Sequence, residues 1–252
     1  MDAIIELSDV DVVRDRFKVL GGLSVRIEEG LTTVFMGGPG SGKSTLLKAA
    51  AGLLVPDAGR VLYRGKDFAR LTRAEELEFR KRSAFVFQDA ALWANQSIFD
   101  NLALPYRFHE HGASRNEVER RVRIAIDLVG FDGELQVRPA ELSTGERRLV
   151  GLARALVLDP ELIYLDEPAA ALDEASAERV FGILAQLRAR ERSLIVVSGN
   201  SPFVSASADA VGVVRGGRMA AFGLYAEAVT WAETGLKAET GRLKPRGEEK
   251  AT

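Results

Sequence analysis

Eight residues carry the clearest chemistry in this chain. Gly37, Gly38, Pro39, Gly40, Ser41, Gly42, Lys43 and Ser44 spell G-x-x-x-x-G-K-S, the pattern of a loop that cradles phosphates. Glycine lacks a Cβ, so backbone N–H groups can close around an anion. Lys43 offers a cation to the β- and γ-phosphates of a nucleotide, and Ser44 offers a hydroxyl to Mg²⁺. Thr45 opens a helix-forming run, Thr45 to Ala51, whose N-terminus adds partial positive charge. An apolar run ending at Met36 precedes the loop. Strand, glycine-rich loop and helix in that order set the motif apart from an ordinary glycine-rich turn.

A second element is Leu162-Ile163-Tyr164-Leu165-Asp166-Glu167, a hydrophobic strand ending in two acids. Asp166 is the candidate metal-side acid, and Glu167 the candidate general base for an attacking water. Read alone, these residues could equally be a strand followed by an Asp helix cap before Pro168. The phosphate loop upstream favours the catalytic reading. Gln88, ending the strand Ser83 to Gln88, is a candidate for Mg²⁺ or the attacking water. Lys43, Gln88 and Glu167 are thus the candidate catalytic set, and Ser44, Gln88 and Asp166 the candidate metal set. Leu142-Ser143-Thr144-Gly145-Glu146 puts a hydroxyl and a glycine at a helix start, a second anion-binding terminus. It lies about a hundred residues from the phosphate loop, which leaves open whose phosphate it meets.

The elements that must position these groups alternate along the chain. Ile4 to Val10 and Leu23 to Ile27 read as strands with a polar connection between them. Further strands are expected at Arg60 to Tyr63, Leu162 to Leu165 and Leu194 to Val197. Val211 to Val214 and Met219 to Phe222 flank Arg215-Gly216-Gly217-Arg218 as a hairpin. Helices are expected at Arg73 to Arg82, Ser97 to Phe108, Asn116 to Val129, Thr144 to Leu158 behind a Ser143 cap, and Glu174 to Arg190. The pattern predicts an α/β fold with a mostly parallel sheet covered on both faces, interrupted by a helical insertion. The tail from Lys237 is charged and is expected to be mobile.

Bulk properties narrow the role. The 252 residues are 46% hydrophobic, enough for a sizeable core. A net charge of −2 gives no global field toward nucleic acid. With no cysteine, disulfides and thiolate ligands are excluded. The first ten residues lack the features of a signal peptide. No apolar run approaches the roughly 18 residues of a spanning helix, so a membrane role is expected to run through a partner.

Together these residues resemble the nucleotide-binding subunit of an ABC transporter. In order they match the Walker A loop (37–44), the Q-loop (Gln88), the signature (LSTGE, 142–146), the Walker B strand (LIYLDE, 162–167) and the D-loop (Ala171-Leu172-Asp173). The resemblance covers about residues 3 to 223. It implies a P-loop NTPase with a mixed β core sheet, an N-terminal antiparallel β subdomain and an inserted helical subdomain. The expected parts are an ATPase core at 1–88 and 141–223, the helical insertion at 89–140, and a C-terminal helix and tail at 224–252. The resemblance also implies ATP and Mg²⁺, an integral membrane permease subunit, and no nucleic acid. Two such subunits, identical or related, would sandwich ATP between one Walker A loop and the partner's signature. That trans contact would come from Ser143, Thr144, Gly145 and Glu146, with Gln88 as a hinge. The implied location is cytoplasmic, peripheral on the inner face of the membrane.

Within the family, FRKRSAFVFQDAALWANQSIFDNLALPYRFHEH and DVDVVRDRFKVLGGLSV are similar to the ATPase of Mla-type lipid-trafficking systems, which work with Mce-type lipid-binding proteins. Arg14 falls where most members carry the aromatic that stacks on adenine. Trp93, Phe99 and Tyr106 read equally as a permease docking surface or as core. Arg154 is expected to pair with an acid such as Asp159 or Glu161, and Trp231 and Leu236 to pack locally.

Two departures from the family pattern bear on rate. Gly199 of Val197-Ser198-Gly199-Asn200 stands where the family has a histidine, and the only histidines, His109 and His111, lie in the helical insertion as expected surface groups. Asn200 is a candidate stand-in. In the signature, Thr144 and Glu146 replace a glycine and a neutral residue. The expectation is ATP binding with slow hydrolysis. The alternatives are a subunit that dimerises on ATP without turnover and an ABC-type ATPase with no membrane partner. The roughly 50 residues between Gln88 and Leu142 exclude the long coiled coil of a DNA-repair member.

Overall fold

Strands with both faces buried organise the molecule. The computed structural model describes residues 2–199 and 201–225, with the side chains of residues 201 and 202 outside that description. Asn200, Trp231, Leu236 and the charged tail, all named above, lie outside the described residues. The central sheet has the order β10-β9-β3-β8-β7-β6. Its strands are β3 (Thr32–Met36), β6 (Ser83–Val86), β7 (Leu162–Asp166), β8 (Ser193–Val197), β9 (Ala210–Arg215) and β10 (Arg218–Leu224). β6, β7, β8, β3 and β9 run parallel, and β10 closes the edge antiparallel to β9. The sheet is therefore mixed. Every residue of β7 and β8 is buried. Side chains alternate between two cores, as a period of two requires. Ile163, Leu165, Leu194 and Val196 face one core, while Leu162, Tyr164, Ile195 and Val197 face the other.

The first core is roofed by helices. α3 (Ile98–His109), α4 (Arg115–Val129), α5 (Thr144–Leu156) and α6 (Glu174–Ala189) contribute to it. Val118, Val122, Ala125, Ile126 and Val129 make the buried stripe of α4, the helical period read from sequence. The second core lies under α1 (Lys43–Ala50) and an antiparallel sheet of order β2-β1-β4-β5. Here β1 is Ala3–Arg14, β2 Phe17–Glu28, β4 Ala58–Tyr63 and β5 Lys66–Asp67. α2 (Arg73–Arg82) packs Phe79 into the same core. Tyr164 crosses this layer and donates from its hydroxyl to Ala50 O at 2.9 Å, tying β7 to α1.

Helix starts follow side-chain caps. Thr72, Ser97, Ser114, Ser143 and Asp173 each accept a backbone N–H from the first turn of the helix that follows, contacts worth about 1 kcal/mol apiece. α1 differs, because Gly42 precedes it and no side chain caps it.

Several expectations need correction. The region between the first two strands is not a separate polar connection. β1 and β2 continue into it and meet at Asp15 and Arg16, both with positive φ, the twist that a two-residue hairpin turn demands. Gln88 does not end a strand, since β6 stops at Val86. A short helix, α7 (Ser201–Ser207), was not expected. Tyr106 is core at 8% exposure and Phe99 packs against that core, whereas Trp93 is 55% exposed. His111 is exposed, but His109 is partly buried, and burial, then nearby Lys81, lowers its pKa.

Candidate functional site

The phosphate-loop candidate leaves the carboxyl end of β3, flanked by β8 and β9, where open α/β sheets place their ligands. Gly37 has φ +154, and a Cβ there would stand 2.2 Å from Val214 O. Gly42 has φ +100, and a Cβ there would meet Leu20 Cδ2 and Val19 O at 2.9 Å. Only glycine fits either position. The loop is thereby pressed against β9 on one side and β2 on the other. Lys43 bends back, and its Nζ donates to Gly37 O at 2.8 Å and Gly38 O at 3.0 Å. The buried Ser41 Oγ has no hydrogen-bond partner among the described residues. An uncapped helix start, a cation folded over the loop and an orphaned hydroxyl beneath it fit a phosphate chain.

Ser44 and Asp166 come together across 122 residues of sequence, with Ser44 Oγ donating to Asp166 Oδ1 at 2.8 Å. Asp166 is 4% exposed. One hydroxyl and one carboxylate are hard oxygen donors, a set that suits Mg²⁺ when phosphate oxygens and waters complete the shell. Beside them Glu167 adopts φ +47, a conformation that L-residues rarely adopt. Three contacts hold it there. Its N–H donates to Val197 O at 2.9 Å. Gly199 N–H donates to its Oε2 at 3.2 Å. Arg148 of α5 reaches Glu167 O at 3.5 Å and Ala170 O at 3.3 Å. Gln88 is exposed in the turn after β6.

Comparison with known proteins agrees with this geometry. Residues 20–170 match the ABC transporter family. The chain belongs to the ABC transporter family. It is 37% identical over 207 residues to the intermembrane phospholipid transport system ATP-binding protein MlaF of Haemophilus influenzae, covering 82% of this chain and 78% of that one. Identity to the MlaF of Escherichia coli K12 is 31% over 221 residues, covering 87% and 82%. Among solved structures, the dimeric post-hydrolysis state of the ATP-binding cassette MJ0796 bound to ADP and Pi superposes with a TM-score of 0.79 at 26% identity, covering 85% of this chain and 96% of that one. The chain is an ATP-binding subunit of an ABC transporter, a family that hydrolyses ATP, dimerises and works with membrane permeases. No helix among the described residues is long and apolar enough to cross a membrane.

The residues expected to form the signature lie apart from the phosphate loop. Ser143, Thr144, Gly145 and Glu146 line a cavity of about 310 Å³ with Ala171, Leu172, Asp173 and Arg179, and no phosphate-loop residue joins them. Asp173 is held below its usual pKa by hydrogen bonds from the Ser176 hydroxyl and N–H, so the D-loop carboxylate is committed to capping α6. Glu146 is similarly committed. Its Oε2 accepts Ser143 N–H at 2.7 Å while Glu146 N–H donates to Ser143 Oγ at 3.2 Å. Ser143 also lowers the pKa of this carboxyl, so the carboxylate persists at neutral pH and is lost only as pH falls through the acid range. A negative charge thus occupies the start of α5, a helix terminus that favours anions. Glutamine can form the same capping box without the charge. Glu146→Gln is expected to strengthen Mg-ATP-dependent dimerisation about fivefold at low salt, with the gain shrinking as salt rises. Sedimentation in a Glu167→Gln background measures it, and equal dimerisation of the two forms would show the charge to be irrelevant.

Two residues escaped sequence reading. Arg14 expends its Nη1 on Val13 O at 3.1 Å, while Phe17, paired with it across the hairpin, is 76% exposed. The register slips by one at Val19, between the pairs Val12–Leu20 and Val13–Lys18. The slip puts Phe17 and Leu20 on one face although they are an odd number of residues apart. That face covers Gly42 through Leu20. Arg154 also has other partners than expected: it binds the carbonyls of Ala90 and Ala91 rather than an acid. No local signal marks a bulge or an arginine's distant partner.

Proposed function

We propose that this subunit binds Mg-ATP and hydrolyses it slowly to drive a lipid-trafficking permease of the Mla type. The observation that carries the slow rate is that Glu167 Oε2 accepts the backbone N–H of Gly199, a residue with no side chain to offer a phosphate. Lys43 swings its ammonium from the loop carbonyls to the β- and γ-phosphates. Ser44 and Asp166, with Gln88, hold Mg²⁺, which when bound neutralises charge on the phosphates. Glu167 accepts the proton of the water that attacks the γ-phosphorus as the bond to ADP breaks. Its Oε2 is engaged by Gly199, so Oε1 is the oxygen left to take that proton. A side-chain donor to the γ-phosphate at this position is missing, which costs about two to three orders of magnitude in kcat by analogy with other oxyanion sites.

Two copies, or one copy and a related ATPase, close the site by placing Ser143 to Glu146 of one on the nucleotide of the other. Trp93, Leu104 and Phe108, exposed beside the helical layer, form the contact for an integral membrane permease on the cytoplasmic face. A Mce-type lipid-binding protein belongs to the same complex, as the resemblance to Mla-type systems implies. In place of the aromatic usual at Arg14, Phe17 stacks on the adenine. Phe17→Ala is expected to weaken ATP binding about tenfold and leave tripolyphosphate binding unchanged. Equal losses for both ligands would place Phe17 away from the base.

The test is ATP turnover of the purified chain with Mg²⁺, alone and with its co-purified membrane partner, beside Lys43→Ala. Low turnover that rises with the partner and vanishes in Lys43→Ala supports the reading. Turnover no greater than that of Lys43→Ala, with nucleotide still bound, supports the second reading, an ATP-gated dimerisation module. That reading draws on Gly199 and Glu146 alike.

A further inference from the structure

The turn after β6 holds two alanines in a conformation that L-residues avoid. Ala90 and Ala91 have φ +62 and +46, which crowds each Cβ against its own backbone. One local bond, Ala90 N–H to Phe87 O at 3.0 Å, closes the turn. Arg154 of α5 adds a fork: Nη1 donates to Ala91 O at 2.7 Å and Nη2 to Ala90 O at 2.8 Å. A planar guanidinium suits two successive carbonyls as an ammonium does not. Gly151, one turn earlier on α5, makes room for the same turn, since a Cβ there would stand 2.8 Å from Ala90 Cβ. Farther along, the buried Asn101 of α3 accepts Trp93 N–H at 2.7 Å and donates to Trp93 O at 3.1 Å and Ser97 O at 2.9 Å. Residues 90–97 are therefore bracketed by two helices, and residues 87–89 are the joint between that bracket and β6.

α5 begins at the signature, and the bracketed segment begins beside Gln88 and displays Trp93. We propose that Arg154 is a positioning residue that locks residues 90–97 to α5, so that movement of that helix is passed directly to the segment bearing Trp93 and is taken up at the joint that holds Gln88. The proposal rests on the reading of this chain as an ATP-hydrolysing subunit. It confines the give of the loop to residues 87–89 rather than spreading it over the whole connection.

The full chain carrying Arg154→Ala, Arg154→Lys or Gly151→Ala tests it with two readouts. The first is the rate of chymotrypsin cleavage at Phe87, Leu92 and Trp93, mapped by mass. The second is kcat against KM for Mg-ATP. In Arg154→Ala, cleavage in this segment is expected to rise about tenfold and kcat to fall about tenfold, with KM and ATP affinity within about twofold. Arg154→Lys, which keeps the charge but not the fork, is expected to recover part of both. Gly151→Ala retains the arginine and is the better helix former, yet crowds Ala90, and should give the same cleavage sites. Unchanged cleavage in both Arg154→Ala and Gly151→Ala overturns the proposal. So does cleavage that rises across the whole chain with loss of ATP affinity, which would make Arg154 an ordinary fold residue. A wild-type chain without turnover would sink the ATPase reading instead, and the cleavage comparison would still decide the clamp.

Discussion

Glu167→Gln is expected to lower kcat for Mg-ATP about a hundredfold or more while leaving ATP affinity within about twofold. The substitution preserves shape. Gly199 N–H still finds an amide oxygen where it now finds Glu167 Oε2 at 3.2 Å, and the backbone bond from Glu167 N–H to Val197 O at 2.9 Å is untouched. What disappears is a group able to accept the proton of the attacking water. An amide at this position should therefore trap the ATP-bound dimer, visible as a stable species by sedimentation with Mg-ATP. Stopped-flow phosphate release and equilibrium binding of a fluorescent ATP analogue separate the two quantities. If kcat falls less than threefold, Glu167 is not the base. If affinity falls in parallel, its role is in holding the loop.

Gly199→His is expected to act in the opposite direction and raise kcat about tenfold to a hundredfold, recovering part of the loss assigned to a missing donor. The position can accept a side chain. Gly199 is not among the glycines with positive φ, and among the described residues the nearest atom to a Cβ there is Glu167 Oε1 at 3.9 Å, ordinary contact. A histidine would stand beside Glu167, the proposed general base. Its titration should print a new limb near pH 6.5 on the kcat profile, absent from the parent and from Gly199→Ala. Gly199→Ala itself should change kcat by less than about twofold, because the N–H that orients Glu167 stays in place. A histidine variant no faster than the alanine variant would show that the slow step lies elsewhere, with Glu146 in the signature as the next place to look.

The two predictions depend on different kinds of information. The phosphate loop and the acid-tipped buried strand that nominate Lys43, Ser44, Asp166 and Glu167 were legible from residue type and spacing, because both are local patterns. Helix starts were equally legible, since Ser143 and its reciprocal Glu146 lie within one turn of chain. The alternation of β7 between two cores followed from its unbroken apolar run. In contrast, α7 carries Pro202 and, among its described side chains, buries only Phe203 and Val204 within seven residues, too short a run for a helical period to show, and its helical state was missed.

By itself, then, the sequence determined which groups are candidates for chemistry and which segments are buried, because both depend on neighbours a few residues apart. Only the tertiary structure decided how those groups are aimed. Ser44 reaches Asp166 because β3 and β7 flank β8 in register. Glu167 is oriented by Gly199 through strand order rather than through any side chain. Phe17 shares a strand face with Leu20, which meets Gly42, through a one-residue slip at Val19, and Arg154 chooses carbonyls over acids because the turn at Ala90 stands against Gly151. Each of these is a pairing across tens to hundreds of residues. Such pairings are set by packing and register, which short-range residue patterns do not encode.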